Sequence, residues 1–198
     1  MSVTQARQLA EVSATGAVIG VLGGAVVGGM AALVGQPVAW ALAGAVALAV
    51  PLALLGAAYG VLVALGRAKP GVFAPAALLW FVGFPLARLA HETLTPVLLG
   101  GNPTPPGDVV TFLAFQALVS MGFAIGFIWL YERITPAWLV QIKDHNPYAQ
   151  RVYARYVAHA EAVWAAREHK RARRARGRAP RPAASTGAAA RPRTRRSS

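Results

Sequence analysis

Residues 16–35 are GAVIGVLGGAVVGGMAALVG, with Gly16, Gly20, Gly24 and Gly28 at intervals of four residues in an otherwise apolar segment. Four residues make slightly more than one helical turn, so these glycines form a strip without side chains along one side of a helix. In water the helix would be poor, because each interior glycine costs about 1 kcal/mol relative to alanine. In a bilayer the backbone must satisfy its own hydrogen bonds, so the strip predicts a transmembrane helix that packs closely on a neighbour.

The next apolar segment carries a matching strip of alanines at the same spacing: Ala41, Ala45, Ala49, Ala53 and Ala57. We expect the two segments to form a membrane hairpin held together by small residues, that is, a glycine zipper. In the last apolar segment, Gly122 and Gly126 predict a second small-residue contact between helices.

Composition and segment length predict the fold class. Of the 198 residues, 56% are hydrophobic, which exceeds the roughly 45–50% of soluble domains. Four apolar segments, at about 14–34, 38–65, 72–99 and 109–131, are each long enough to cross a hydrocarbon core of ~30 Å. The sequence therefore predicts an all-α membrane protein with four transmembrane helices, followed by an amphipathic helix and a disordered basic tail.

The distribution of cations predicts the orientation. Arg7, Arg67, Lys69 and Arg133 flank the four segments on one side, whereas the two opposite loops, 35–37 and 100–108, contain no Lys or Arg. The positive-inside rule then places both termini in the cytoplasm of a multi-pass protein of the cell inner (plasma) membrane.

The predicted organisation has four parts. Residues 1–13 form a cytoplasmic N-terminus and 14–131 the transmembrane domain. Residues 132–176 form an amphipathic, basic helical region, and 177–198 an Arg/Pro/Ala-rich tail with too little apolar surface to fold.

Arg88, His91 and Glu92 form the only ionisable cluster within the four apolar segments, and their spacing places them near one face of a helix. One interpretation is a proton- or ligand-handling site in which His91 titrates and Arg88 holds an anion or Glu92. The other, which the sequence favours, is an interfacial Arg–Glu pair with Arg88 extending to the lipid headgroups.

A run of cations follows residue 166 and accounts for much of the formal net charge of +13. Its members in the predicted helical region and at the start of the tail are Arg167, Lys170, Arg171, Arg173, Arg174, Arg176 and Arg178. Such a run is typical of a segment that binds anionic lipid headgroups, which is the favoured interpretation. Nucleic acid, bound through its phosphates, and an acidic protein partner are the alternatives.

Several classes of chemistry have no support in the sequence. The chain contains no cysteine, no His-Glu-x-x-His spacing and no glycine-rich phosphate loop. We therefore expect no catalytic site, no cofactor and no metal.

In overall layout the chain resembles the small hydrophobic spread proteins of actinomycete conjugative plasmids, which join membrane spans to DNA-binding basic regions. The resemblance is compositional, and no aligned motif carries it. It implies a membrane-tethered, non-specific nucleic-acid binder in DNA transfer.

The favoured function is that of an integral membrane accessory or scaffold protein. Its glycine hairpin packs in the bilayer with a membrane-protein partner or a second copy, and its basic C-terminal region engages anionic lipid or a cytoplasmic partner. The nucleic-acid binder is the alternative, and a small oligomeric pore or transporter is a third hypothesis.

Overall fold

The computed structural model describes residues 2–178. This part of the chain consists of five helices and contains no strand. The helices are α1 (Val3–Leu33), α2 (Val38–Ala64), α3 (Ala74–Leu98), α4 (Val109–Ile142) and α5 (Pro147–Arg178).

The first four helices are each long and apolar enough to cross a membrane. Their outward sides carry large exposed apolar side chains, among them Leu22, Leu54, Leu118 and Ile125. Such a surface is stable in lipid and would be costly in water. The predicted fold class, an all-α multi-pass membrane protein, is confirmed.

The bounds of α1 differ from the predicted transmembrane segment. Ser2 caps the helix: its hydroxyl accepts from the Gln5 N–H at 3.2 Å, and the Gln5 side chain accepts from the Ser2 N–H at 3.0 Å. This capping box starts the helix at Val3, so residues 3–13 are its first three turns rather than a separate N-terminal segment. At 1.5 Å per residue, α1 is about 46 Å long, which exceeds a hydrocarbon core of ~30 Å.

At its C-terminal end, α4 is longer than predicted. It continues through Pro136 to Ile142, so residues 132–142, the start of the predicted amphipathic region, belong to α4 rather than to a separate helix. Leu139 and Ile142 in this extension are buried against the bundle. Their burial supplies the packing that keeps the helix continuous past its apolar segment.

The helices are antiparallel neighbours, and the bundle has two distinct ends. At the junction end, where α4 meets α5, Glu132 of α4 accepts from the backbone N–H of Gly71 at 3.3 Å, and Trp138 donates to the carbonyl of Glu11 at 2.8 Å. The loop end carries the connections 34–37 and 99–108. The start of α1 and the end of α4 therefore lie at the same end of the bundle.

Buried aromatic side chains join α2, α3 and α4. Tyr59, Trp80 and Tyr131 are fully buried, and Phe127 lies between them with its ring centroid 4.7 Å from Trp80 and 5.4 Å from Tyr59. The Tyr59 and Phe127 rings meet edge to face, an arrangement that aromatic quadrupoles favour.

The chain divides into two compact units, Met1–Ala160 and Glu161–Ser198. In the first unit, Ala149, Val152 and Tyr156 of α5 are buried in the core. Helix α5 reaches Arg178, two residues into the predicted tail; residues 179–198 lie outside the described part, so the disorder expected there stays a prediction.

Candidate functional site

The two glycine-containing helices of the hairpin approach so closely that their backbones touch. A Cβ added to Gly16 would overlap the carbonyl of Gly56, and one added to Gly20 would overlap the carbonyl of Leu52 and lie 2.5 Å from the backbone nitrogen of Ala53. No side chain larger than hydrogen fits at Gly16 or Gly20 without moving the helices apart.

The contact continues toward the loop end. A Cβ on Gly24 would lie 2.5 Å from the Cα and Cβ of Ala49, and one on Gly28 would lie 2.5 Å from the Cβ of Ala45 and 2.9 Å from the carbonyl oxygen of Ala41. Gly24 and Gly28 therefore face the predicted alanines Ala41, Ala45 and Ala49, whereas Gly16 and Gly20 face the backbone of residues 52, 53 and 56.

Toward the junction end the contact uses residues that the alanine spacing does not identify. Gly56 lies against Gly16, and a Cβ on Gly60 would lie 2.5 Å from the Cα of Ser13. Both glycines are buried, whereas Ala57 is half-buried. The sequence contains a signal for this contact, because Gly56 and Gly60 are spaced four residues apart like the glycines of α1.

Gly122 and Gly126 make no such contact within the described chain. Both are exposed on the outer side of α4, and no atom lies within 4 Å of a Cβ built on either. The small-residue contact predicted for them is therefore absent between the described helices, and a contact with a partner helix stays a prediction.

At the loop end, one turn of α3 brings Arg88, His91 and Glu92 together. An Arg88 guanidinium N–H donates to His91 Nδ1 at 2.8 Å, and its second terminal nitrogen donates to Glu92 Oε1 at 2.5 Å. Because the guanidinium has only donors, Nδ1 of His91 acts as acceptor, which assigns the proton of a neutral imidazole to Nε2. The ion pair leaves the three side chains with no net charge.

Helix α2 supplies the space that the imidazole occupies. A Cβ on Gly44 would lie 3.3 Å from His91 Nε2, so a larger residue there would press against the ring. One turn further along α3, the Thr95 hydroxyl donates to the His91 carbonyl oxygen at 2.6 Å, so this buried hydroxyl has its hydrogen-bond partner within the same helix.

These side chains line a cavity of about 480 Å³, here called the polar cavity. Small residues of α1 and α2 form one wall, polar side chains of α3 the other, and the loop end closes it with Gln36, Trp40 and Thr104. Its lining residues are Val27, Gly28, Ala31, Gln36, Trp40, Ala41, Gly44, Ala45, Arg88, His91, Glu92, Thr95, Pro96 and Thr104. The volume is in the range of small-molecule sites.

A second cavity, of about 370 Å³, is lined by residues of α1, α2, α3 and α4 and is mostly apolar. Its polar side chains are those of Arg88 and Gln116. Arg88 and Val27 line both cavities.

Sequence analysis missed a polar cluster at the junction end. Asn146, 1% exposed, donates to the Gln8 carbonyl at 2.8 Å and to Glu11 Oε2 at 3.0 Å, while its own Oδ1 accepts from the N–H groups of Tyr148 and Ala149. One amide therefore caps α5 and ties it to α1. The available signal was Asn-Pro, a cap residue followed by the residue preferred at the first helical position.

Glu11 is the acceptor on which this cluster centres. Arg7 donates to its Oε1 at 3.2 Å, and His145 Nε2 lies 3.2 Å from its Oε2. The hydrogen bond from Asn146 holds the pKa of the Glu11 carboxyl below its ordinary value of 4.5, and the charges of His145 and Arg7 act in the same direction.

The predicted lipid- or nucleic-acid-binding cations lie on α5. Arg167, Lys170, Arg171, Arg173 and Arg174 are exposed; Arg176 and Arg178 belong to the helix, and their side chains lie outside the described structure. Over the described residues, no three His, Asp or Glu side chains come together as metal ligands would.

No protein-family model, curated protein or solved structure matches this chain.

Proposed function

We propose that the chain is a membrane anchor and scaffold of the cell inner membrane, with the junction end in the cytoplasm. Its basic region holds anionic lipid headgroups there. The glycine contact between α1 and α2 makes the bundle rigid, and the start of α5 is attached to this rigid bundle.

The charge difference between the two ends of the bundle supports this orientation. Seven of the eight Lys and Arg residues between positions 2 and 160 belong to the junction end: Arg7, Arg67, Lys69, Arg133, Lys143, Arg151 and Arg155. The eighth, Arg88, is paired with Glu92. A concentration of cations at one end is typical of the cytoplasmic side, and this asymmetry is the observation that carries the proposal.

The attachment of α5 supports the scaffold role. Arg155 donates to the Val63 carbonyl oxygen at the end of α2 at 3.0 Å, and Asn146 holds the start of α5 to α1. Two separate helices of the bundle therefore fix the first turns of α5. A helix held in this way begins at a defined place on the bundle, as a scaffold requires.

The test places a fluorescent label at position 172, which lies among the exposed cations of α5. The chain has no cysteine, so Ala172→Cys provides a unique site for an environment-sensitive fluorophore in the full-length protein. In nanodiscs of anionic lipid we expect a blue-shifted emission that high salt reverses, and in zwitterionic nanodiscs no shift, because the attraction is electrostatic. The same label at Asn102→Cys, in the loop opposite, is the matched control and should not respond to lipid charge.

Identical emission from Ala172→Cys in both kinds of nanodisc would refute headgroup binding. A shift produced by duplex DNA in zwitterionic nanodiscs, with none from anionic lipid, would replace the proposal by the nucleic-acid alternative. Replacing Lys170, Arg171, Arg173 and Arg174 by Gln should abolish the anionic-lipid shift.

A further inference from the structure

We propose that the polar cavity binds an ammonium group, with the Glu92 carboxylate as its counter-ion and the Trp40 indole as its second contact. The ligand class is a small primary or quaternary amine. It is either a soluble compound or the headgroup of a phospholipid such as phosphatidylethanolamine.

The Arg88–Glu92 ion pair carries no net charge, so a ligand responds to the end of the pair that is more exposed. Arg88 directs its two terminal nitrogens at His91 and Glu92, and its positive charge is compensated by the Glu92 carboxylate. His91 accepts from Arg88 as a neutral imidazole would. The carboxylate is the more exposed end of the pair, which favours a positively charged ligand.

Glu92 is the group that stays open to the cavity. Its side chain is 40% exposed, compared with 20% for Arg88 and 14% for His91. Oε1 forms the ion pair, whereas Oε2 makes no hydrogen bond to any residue in the range 2–178. A carboxylate has about four acceptor positions, so this second oxygen can receive an N–H or face a quaternary ammonium.

Trp40 supplies the contact that is specific for a cation. Its side chain lines the same cavity as Glu92, at the loop end of α2. The face of an indole attracts ammonium groups through its quadrupole, and at 46% exposure Trp40 is open to a ligand. A carboxylate and an indole face that line one cavity both attract a positive charge.

The hairpin provides the room for such a ligand. Gly28, Ala41 and Gly44 line the cavity on the side of α1 and α2, and none of them carries a side chain larger than methyl. The residues that allow the helices to touch thus also leave about 480 Å³ beside Glu92. This volume exceeds that of an ammonium group alone, so the cavity has space for the rest of a small amine or a headgroup.

The experiment measures ligand-induced stabilisation of the full-length protein. A ligand that binds the folded state stabilises it by RT ln(1 + [L]/Kd), so the unfolding temperature rises with ligand concentration. Purified protein in a non-ionic detergent is titrated with ethanolamine, tetramethylammonium and, as the anion, sodium phosphate. Separate samples receive phosphatidylethanolamine or phosphatidylglycerol. We expect stabilisation by the amines or by phosphatidylethanolamine, and none by phosphate. Any stabilisation by phosphatidylglycerol through the basic region should be equal in the parent and in Glu92→Gln.

The variants connect the effect to the cavity. Glu92→Gln, which keeps an acceptor for Arg88, should weaken binding about tenfold or more, because a charge-assisted contact is lost. Trp40→Leu should weaken it about threefold or more. The matched controls are Asp108→Asn, a carboxylate at the same end that does not line the cavity, and Trp129→Leu, an exposed tryptophan on α4; both should bind as the parent does.

Stabilisation by free amines without phosphatidylethanolamine identifies a soluble ligand, and the reverse identifies a headgroup; both support the site. Stabilisation by phosphate alone, or amine binding that neither Glu92→Gln nor Trp40→Leu weakens, overturns it. Absence of any stabilisation by amines and by phosphatidylethanolamine also overturns it. Should Glu92→Gln fail to fold, Trp40→Leu with its Trp129→Leu control decides the question alone.

Discussion

Gly16 of α1 lies directly against Gly56 of α2, so closely that a Cβ on either residue would overlap the carbonyl oxygen of the other. Helix propensity does not account for glycine at either position, because glycine weakens an isolated helix. Between lipid-embedded helices, by contrast, the bare backbone increases the van der Waals contact that drives association. The Gly16–Gly56 pair therefore shows why the glycines of α1 and α2, which weaken each helix by itself, lie where the two helices pack against each other.

The first prediction concerns this contact. Gly24→Leu should lower stability by about 1–3 kcal/mol or more, because its Cβ alone would already lie 2.5 Å from the backbone of Ala49. Gly122→Leu is the matched control: it adds the same side chain to an exposed glycine with nothing within 4 Å and should leave the unfolding temperature unchanged. Thermal unfolding in detergent measures both. Equal effects of the two substitutions would show that the α1–α2 contact contributes no stability.

The second prediction concerns the start of α5. Asn146→Ala removes the cap of α5 and leaves the Gln8 carbonyl without its donor, and each loss costs about 1 kcal/mol. We expect faster amide hydrogen exchange in residues 147–152, with exchange in α2 and α3 unchanged. Asn146→Ser, which keeps a capping oxygen but not the amide donor, should give exchange rates between those of the parent and of Asn146→Ala. Unaltered exchange in Asn146→Ala would mean that this residue does not hold α5.

The third prediction is a pH dependence at Glu11. Its pKa is lowered in the folded protein, so the carboxylate stabilises the fold fully above about 4.5, its value when unfolded, and the contribution is lost as pH falls through the folded pKa. The unfolding temperature of Glu11→Gln should therefore vary less with pH between 5 and 3 than that of the parent. Parallel curves for the two proteins would contradict the assignment.

The fourth prediction concerns the ion pair in the polar cavity. Arg88→Met leaves Glu92 without its partner in a half-buried position and should destabilise by more than about 1 kcal/mol. The double variant Arg88→Met with Glu92→Met removes both charges and should recover most of the loss. A double-mutant cycle on unfolding temperatures measures the coupling. Additive effects would indicate that the pair is not formed in the membrane.

The sequence predicted which helices pack and, for α1, with which face. It did not predict the whole contact surface of α2, because an interval of four residues exceeds the helical repeat of 3.6 and drifts around the helix. The contact follows Ala45 and Ala49, takes a three-residue step to Leu52 and continues at Gly56 and Gly60. An uninterrupted four-residue pattern therefore led to Ala57, which is half-buried.

The candidate site could be predicted only within one helix. The spacing of Arg88, His91 and Glu92 placed them together on one helical face. Their cavity also depends on Trp40 from α2 and on Thr104 from the 99–108 connection, which no periodicity connects to α3. Asn146 likewise has its partners at Gln8 and Glu11, more than 130 residues away in sequence. Such contacts follow from the tertiary arrangement of the helices.

Cysteine accessibility in intact cells tests the proposed membrane orientation most directly. Because the chain has no cysteine, Lys69→Cys at the junction end and Asn102→Cys at the loop end can each be labelled without background. A membrane-impermeant maleimide should label Asn102→Cys in intact cells, and Lys69→Cys only after the cells are permeabilised. Labelling of Lys69→Cys in intact cells, or of both positions equally, would contradict a four-span bundle with its basic end in the cytoplasm.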